Sequence, residues 1–252
     1  MKLAAIYLVF NALEHLEGSI NQIYDHSDII MIGWQKTSHY GDPSTIVEPF
    51  VNAIKDKYPK VVLFEHKERA GDPKKQERDK INTLLKQSLI HGCTHFFISA
   101  TDHYYDPSQF AKCKEIAKDY QVTASKMWTY FKEPKWRLKE PEGYYMPFIC
   151  QLTPQTYTKN TRGVWNVHVD PALCFYPNDT FYEFSESELM MHHYSFVRLN
   201  LANKLRNAAA RRNFNNRIPE ILQKTKEFNG VGKCPYFNQE VVEVPNYFGI
   251  SL

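Results

Sequence analysis

"FFISATDHYYDPSQF", residues 96–110, joins two kinds of structure within fifteen positions. Its first five residues are an apolar, β-prone run suited to a buried strand. Asp106-Pro107 then reads as a helix start, with an acid at the N-cap and proline at the first helical position. Between strand and helix sit Asp102, His103, Tyr104 and Tyr105. Asp106 already supplies the cap, so Asp102 is free for other work. An acid, an imidazole and two phenols at the end of a core strand are expected to face a ligand.

The same alternation extends on both sides. "LAAIYLVF" (3–10) is an unbroken apolar run, as in a strand buried on both faces. Leu13, Leu16, Ile20 and Ile23 follow at helical spacing. "DIIMIGW" (28–34) and "KVVLFEH" (60–66) read as strands, and the stretch between them puts Ile46, Phe50, Val51 and Ile54 on one helix face, with Pro49 tolerated in the first turn. "DPKKQERDKINTLLKQSLIHG" is predicted helical, capped by Asp72, stopped by Gly92 and facing inward with Ile81, Leu84, Leu85, Ser88 and Leu89. "VTASKMW" is a fifth strand. Such alternation implies an α/β fold, a mostly parallel sheet flanked by helices. Ligands of such sheets bind beyond the carboxyl ends of the strands. Asn11, Gly33-Trp34-Gln35, His66-Lys67 and Asp102-His103 are therefore expected on one rim.

The second half differs. Residues 129–171 are dense in proline, aromatic and basic residues and read as irregular β structure over that rim. "SESELMMHHYSFVRLNLANKLRNAAARRN" is predicted to be one long helix starting near Ser185 or Ser187, which would point His192 and His193 about 100° apart. "IPEILQKTKEF" is a further helix and "VVEVPNYF" a surface strand. The organisation expected is a single domain, with a ligand-binding core over 1–130 and a β segment and C-terminal helices over 131–252.

Composition narrows the class. Of 252 residues, 43% are hydrophobic and 23% charged, the balance of a soluble globular chain. A net charge of +3 is too mild to demand a nucleic-acid partner. No run of 18 apolar residues occurs, so no membrane span is expected. The start "MKLAAIYLVFNALEH" carries one lysine before a short apolar run and reads as a strand rather than a signal peptide. Five widely spaced cysteines without a CxxC pair suit reduced thiols in a cytoplasmic protein. An aromatic content of 14% favours stacking on flat or sugar-like ligands.

The order "AAIYLVFN", "DIIMIGWQ", "VVLFEH", the basic helix "KKQERDKINTLLKQSL" and "HFFISATDHYYDP" resembles the nucleotide-binding half of GT-A (Rossmann-like) glycosyltransferases of the family-2-like kind, including small phage- and virus-encoded ones. The likeness covers about residues 3–120, and "WRLKEPEGYYMPFI" (136–149) and "MHHYSFVR" (191–198) resemble segments of related phage proteins. It implies transfer of a hexosyl or pentosyl group from a nucleotide-sugar, a UDP-sugar by preference, to an acceptor hydroxyl. Those enzymes carry Asp-x-Asp at the end of the fourth strand; here Ala100 stands at the first Asp, Asp102 at the second and His103 just after. A divalent metal, Mn2+ or Mg2+, would then draw on Asp102, His103 and a late histidine such as His193, and imidazole ligands suit manganese better. Donor contacts are expected at Asn11, Gln35 and Lys67 from their place on the rim, at Arg78 and Lys80 from the resemblance, and at Arg198 as a phosphate-holding cation near the histidine pair. Asp102, as a strand-end residue, is expected to be essential for transfer yet replaceable by Asn without harm to the fold.

An inverting transferase needs a carboxylate to take the acceptor proton. Asp170 and Glu186 are the candidates carried forward with Asp102, beside Glu183 and Glu188. Acceptor contacts are expected from Trp128, Trp136, Tyr144, Tyr145, Arg211 and Arg212. Between Glu188 and Glu220 there is no acid, while Arg198, Lys204, Arg206, Arg211, Arg212 and Arg217 fall in that window. The patch allows a phosphate-backbone acceptor, such as a modified base in phage DNA, beside a glycan or a protein. Two rival readings remain. A nucleotidyltransferase would carry a glycine-rich loop after the first strand, where this chain has "FNALEHLEGS"; a catalytically inactive nucleotide-sugar-binding module would explain the missing Asp.

Overall fold

Strand β1 (Leu3–Val9) is the centre of the molecule, and nearly every side chain on it is buried. It pairs in parallel with β2 (Ile29–Trp34) on one side and β4 (His95–Ala100) on the other, with Tyr7 opposite Ile32 and Ser99. β3 (Val61–Glu65) extends the parallel sheet beyond β2. The computed structural model describes residues 1–67, 72–159, 167–170, 173–208, 211 and 215–252.

Helices α1 (Leu13–Ile23), α2 (Val47–Lys57), α3 (Pro73–Ile90) and α4 (Pro107–Ile116) follow the strands as the apolar spacing predicts. The two Asp-Pro starts are real caps: Asp72 accepts from the amides of Lys74 and Lys75, and Asp106 from those of Ser108 and Gln109. The inner face of α2 is Val47, Val51 and Ile54; Ile46, expected there, precedes the first turn and is 64% exposed. The turn from β1 into α1 passes through Ala12 at φ 58, a left-handed conformation that disfavours a Cβ and that sets Asn11 at the strand's carboxyl end.

Beyond β4 the sheet turns antiparallel. β8 (Met146–Gln151) lies between β4 and β6 (Val122–Phe131), antiparallel to both. β7 (Trp136–Leu138) and the edge strand β13 (Val241–Glu243) complete that side, the latter as the expected surface strand. The helix predicted over "IPEILQKTKEF" is α6 (Ile218–Glu227).

The long helix expected from residue 185 does not form. Its first half is a strand, β12 (Met190–Phe196), parallel to β6 and antiparallel to the two-residue strand β5 (His103–Tyr104). Only a seven-residue helix follows, α5 (Leu201–Asn207). Ladder partners on β6 and β5 satisfy the backbone of 190–196, and that pairing outweighs a weak helical propensity. The remaining described strands are short: β9 (Tyr157–Thr158), β10 (Phe175–Tyr176) and β11 (Phe181–Glu183). Within the segment "WNVHVD", residues 167–170 are described and Val169 makes only an isolated bridge to Tyr145. No described helix is long and apolar enough to cross a membrane. All five cysteines are buried and unpaired.

Gly33 sets the distance between β2 and α3, because a Cβ there would lie 2.7 Å from Leu84 Cδ1. Gly33→Val is expected to destabilise the fold by about 1–3 kcal/mol through overpacking, read as a lower denaturant midpoint with an unchanged slope.

Candidate active site

Asp102 follows β4 and is 2% exposed. Its carbonyl accepts the Tyr194 amide at 2.9 Å, so the end of β4 is fastened to β12. Register then puts His103 opposite His193. The loop after β12 brings in Arg198, and α5, capped by Asn200, brings in Lys204. Arg198 Nη2 donates to Asp102 Oδ2, while His193 Nε2 and Lys204 Nζ each lie 3.8 Å from that same oxygen. Burial pushes the Asp102 carboxyl up, but Arg198, Lys204, His193 and His103 outweigh it and hold it well below its ordinary value. Burial, then Arg198, bring Lys204 down to about 8 against the pull of Asp102.

A strand sends neighbouring side chains to opposite faces, so the histidine pair is divided more sharply than a helix would divide it. His193 faces Asp102. His192 turns away, with Nδ1 2.7 Å from Tyr130 Oη and the ring edge-on to Phe248. On its other side His193 Nδ1 lies 3.8 Å from Glu142 Oε1. Glu142 accepts from the Thr129 hydroxyl, and His193, Thr129 and Tyr144 draw its carboxyl below the ordinary value in spite of burial, which pushes it up. Glu142 was not among the sequence candidates; the only local sign of it is an acid in the Pro-Gly turn before Tyr144-Tyr145.

Two cavities flank this line of charges. The first, about 610 Å³, is bordered by Asn11, Glu14, Ser44, Arg198, Asn203 and Arg206, and a 150 Å³ recess beside it adds Gln35, His39, Glu77 and Lys80. Lys80 Nζ donates to Gln35 Oε1, so α3 is tied to the end of β2. The second cavity, about 430 Å³, is bordered by Glu142, Tyr144, His168, Asp170, His193, Tyr236 and Phe237. Lys204 borders both cavities and the recess.

Asn11, Gln35, Lys80 and Arg198 therefore meet on the first side, and Tyr144, Asp170 and His193 on the second, with Asp102 and His103 close to the line between. The other expected residues lie elsewhere. Lys67 and Arg78 border neither cavity. Trp128 lies 3.6 Å beneath the Arg137 guanidinium, and Trp136 packs on Phe228. Tyr145 donates to Glu183, Glu186 pairs with Lys126 at 3.1 Å, and Glu188 accepts the Ser185 amide. Asp170 is paired with Lys74 at 3.0 Å. Among its described residues the basic window does not form one face: Arg198 and Lys204 turn to Asp102, Arg206 borders the first cavity, Arg211 covers the Tyr40 ring at 4.8 Å and Arg217 pairs with Glu220 at 3.5 Å. Arg212 lies outside the described residues.

Asp102, His103 and His193 offer a possible metal site, their ligand atoms all within 4.8 Å of one another. Its chemistry opposes a divalent ion. Oδ2 already accepts from a guanidinium and faces an ammonium at 3.8 Å, and a dication on that oxygen would be brought against both. Burial and then His193 hold His103 neutral, with a pKa of about 3, so its tautomer decides whether it can ligate. Its Nδ1 accepts the Ala100 amide at 3.1 Å, so the proton sits on Nε2, the reverse of what a ligating Nε2 requires. Ala100 supplies no second carboxylate. With Arg198 and Lys204 in place these residues do not fit the metal.

The sheet order and the helices on both its faces make the fold that of GT-A-type glycosyltransferases. No protein-family model and no curated protein matches the sequence. Among solved structures, S. aureus TarS is similar with a TM-score of 0.50 and 13% identity over 82% of this chain, which spans only 38% of that one. S. aureus TarS 1–349 in complex with UDP-GlcNAc gives 0.46 and 11% over 89% of this chain and 72% of that one. The mannosyltransferase PcManGT from Pyrobaculum calidifontis, in complex with GDP-Man and Mn2+, gives 0.39 and 17% over 53% and 36%. Identities this low carry the fold and nothing more.

The expectation that Asp102→Asn spares the fold rested on an exposed strand end, and the residue is buried. Replacing it leaves Arg198 and Lys204 without their counter-charge, and a loss of about 3–5 kcal/mol is expected, measured by chemical denaturation. The wild-type contribution is complete above the unfolded carboxyl value near 3.9 and is lost as pH falls below it.

Histidines act in a higher range. His15, His95, His103 and His192 are all held below the ordinary value, chiefly by burial. The unfolded chain takes up protons near pH 6.5 that the folded chain refuses. Stability is therefore expected to fall as pH drops below about 6.5, by up to about 1.4 kcal/mol per pH unit for each histidine; urea midpoints that stay level from pH 7 to 5 would contradict this.

Proposed function

We propose that this chain is a glycosyltransferase that moves a sugar from a nucleotide-sugar donor to an acceptor hydroxyl. The observation that carries the reading is the pair of unlike cavities meeting at one buried charge cluster. The first has the amides and cations that suit a nucleoside diphosphate, at the strand ends where such folds bind ligands. The second offers Tyr144, Tyr236 and Phe237 as ring-stacking surfaces and two acids, Glu142 and Asp170, which suits a neutral polyhydroxyl acceptor. Those acids oppose a phosphate-bearing acceptor, and the dispersed arginines among the described residues give a duplex no common face. A glycan, or a sugar on a protein, is the acceptor favoured over DNA, and glycosyl transfer is favoured over nucleotidyl transfer to a phosphate.

The acceptor oxygen attacks the anomeric carbon as its proton passes to a base. Glu142 takes that role in preference to Asp170, because a neutral hydroxyl and an imidazole face Glu142 whereas Asp170 is ion-paired with Lys74. His193 holds Glu142 on one side and faces Asp102 on the other. As the sugar–oxygen bond breaks, its electron pair stays on the diphosphate, beside Arg198 and Lys204. A uridine donor is the first to test.

Glu142→Gln should lower turnover of UDP-GlcNAc, UDP-glucose or GDP-mannose, to water or to added glycoside, by about 10²–10⁴-fold. The melting-temperature shift given by the same donor should be unchanged. Undiminished turnover removes Glu142 from the role, and a panel in which no donor shifts melting removes the transferase reading.

A further inference from the structure

We propose that Arg198 and Lys204 neutralise the donor's diphosphate directly, in place of a divalent metal ion. This rests on the assignment of the first cavity to the donor. Three features point to it. The carboxylate oxygen on which a metal would sit, Asp102 Oδ2, is already taken by both cations. Arg198 is unfinished: Nε donates to the Ser195 carbonyl and Nη2 to Asp102, but Nη1 is buried with no hydrogen-bond partner among the described residues. A guanidinium carries five N–H donors in a fork that matches phosphate oxygens, so a donor entering the cavity that Arg198 borders completes it. Lys204 borders the same cavity and its recess, and supplies a compact second charge.

The charges balance in the right direction. Asp102, Arg198 and Lys204 sum to one net positive charge. Asp102 therefore fixes the cations without cancelling them, as it would if it faced only one. When the sugar–phosphate bond breaks, the electron pair goes to a phosphate oxygen. That new charge meets preorganised N–H donors, which need no ion to arrive first. Glu77, the acid of the recess, is 3.5 Å from Lys74 and also helps to hold the proton on Lys204, while Glu14 and Asp42 border the first cavity away from Asp102.

The experiment uses the whole chain and two probes, UDP and GDP, beside Mn2+ alone. Thermal shifts given by the effective nucleotide should be equal in EDTA and in millimolar Mn2+. Lys204→Gln, which keeps a polar side chain at a position 23% exposed, should weaken that nucleotide by about 10- to 100-fold in either condition. Arg198→Lys should do the same. In paramagnetic titration the protein alone should leave the free Mn2+ signal as it is in buffer. Nucleotide stabilisation that appears only with Mn2+ overturns the proposal, as does stoichiometric Mn2+ binding abolished by Asp102→Asn. A nucleotide response that survives both Lys204→Gln and Arg198→Lys overturns it too. If neither nucleotide shifts melting in any condition, the donor-site reading fails, and this inference falls with it; the Mn2+ titration still shows whether the site takes a metal.

Discussion

A carboxylate out of water has to be paired, and Asp102 is the group that this fold is arranged to pair. Taking an acid and a guanidinium into the interior costs several kcal/mol for each ion, recovered only when the geometry is held. The holding is done by backbone: the Tyr194 amide on the Asp102 carbonyl and the register of His103 with His193. Each of these fixes a piece of the second half of the chain against the end of β4. The site is therefore a consequence of the way the two halves are joined rather than a decoration of the first.

From that join follows the contrast between the cavities. α5 is only seven residues long, and Lys204 on it borders both sides. Amide and cationic groups collect where the parallel strands end; acids and rings collect where the loops around β7, β8 and β12 meet. Glu142 and Asp102 are bridged by a single imidazole, so the two sides are distinct in charge yet within one ring's reach of each other.

Much of the first half was legible in the sequence because its information is local. Apolar runs, helical spacing and the Asp-Pro starts act within one element, and the structure keeps them but for Ile46, which falls before the first turn of α2. Asp102 stood out for the same reason, since Asp106 left it nothing to cap. The strand β12 was misread because the local cue was genuine but short-lived. The Ser185 amide does donate to the Glu188 carboxylate at 2.8 Å, one half of the bonding of a helix start, but the Ser185 hydroxyl donates to that same carboxylate instead of accepting the Glu188 amide, and only a turn follows. The chain then turns to the open edges of β5 and β6, which no window around residue 190 contains. Glu142 was missed likewise: its partners, Thr129 and His193, come from distant strands. Trp128 and Trp136, expected at the acceptor, instead lie against the Arg137 guanidinium and edge-on to Phe228, because aromatic content alone does not say which face a ring takes.

The partners of Asp102 also have an order in time. Arg198 lies 96 positions further along the chain than the acid it neutralises. At ordinary rates of synthesis that gap is roughly 5–20 s of elongation. Throughout it β1 to β4 are already made, while the acid at the end of β4 has no counter-ion. The N-terminal half thus leaves the ribosome with its most buried charge still in need of water. It cannot close around that charge until the last third of the chain has arrived.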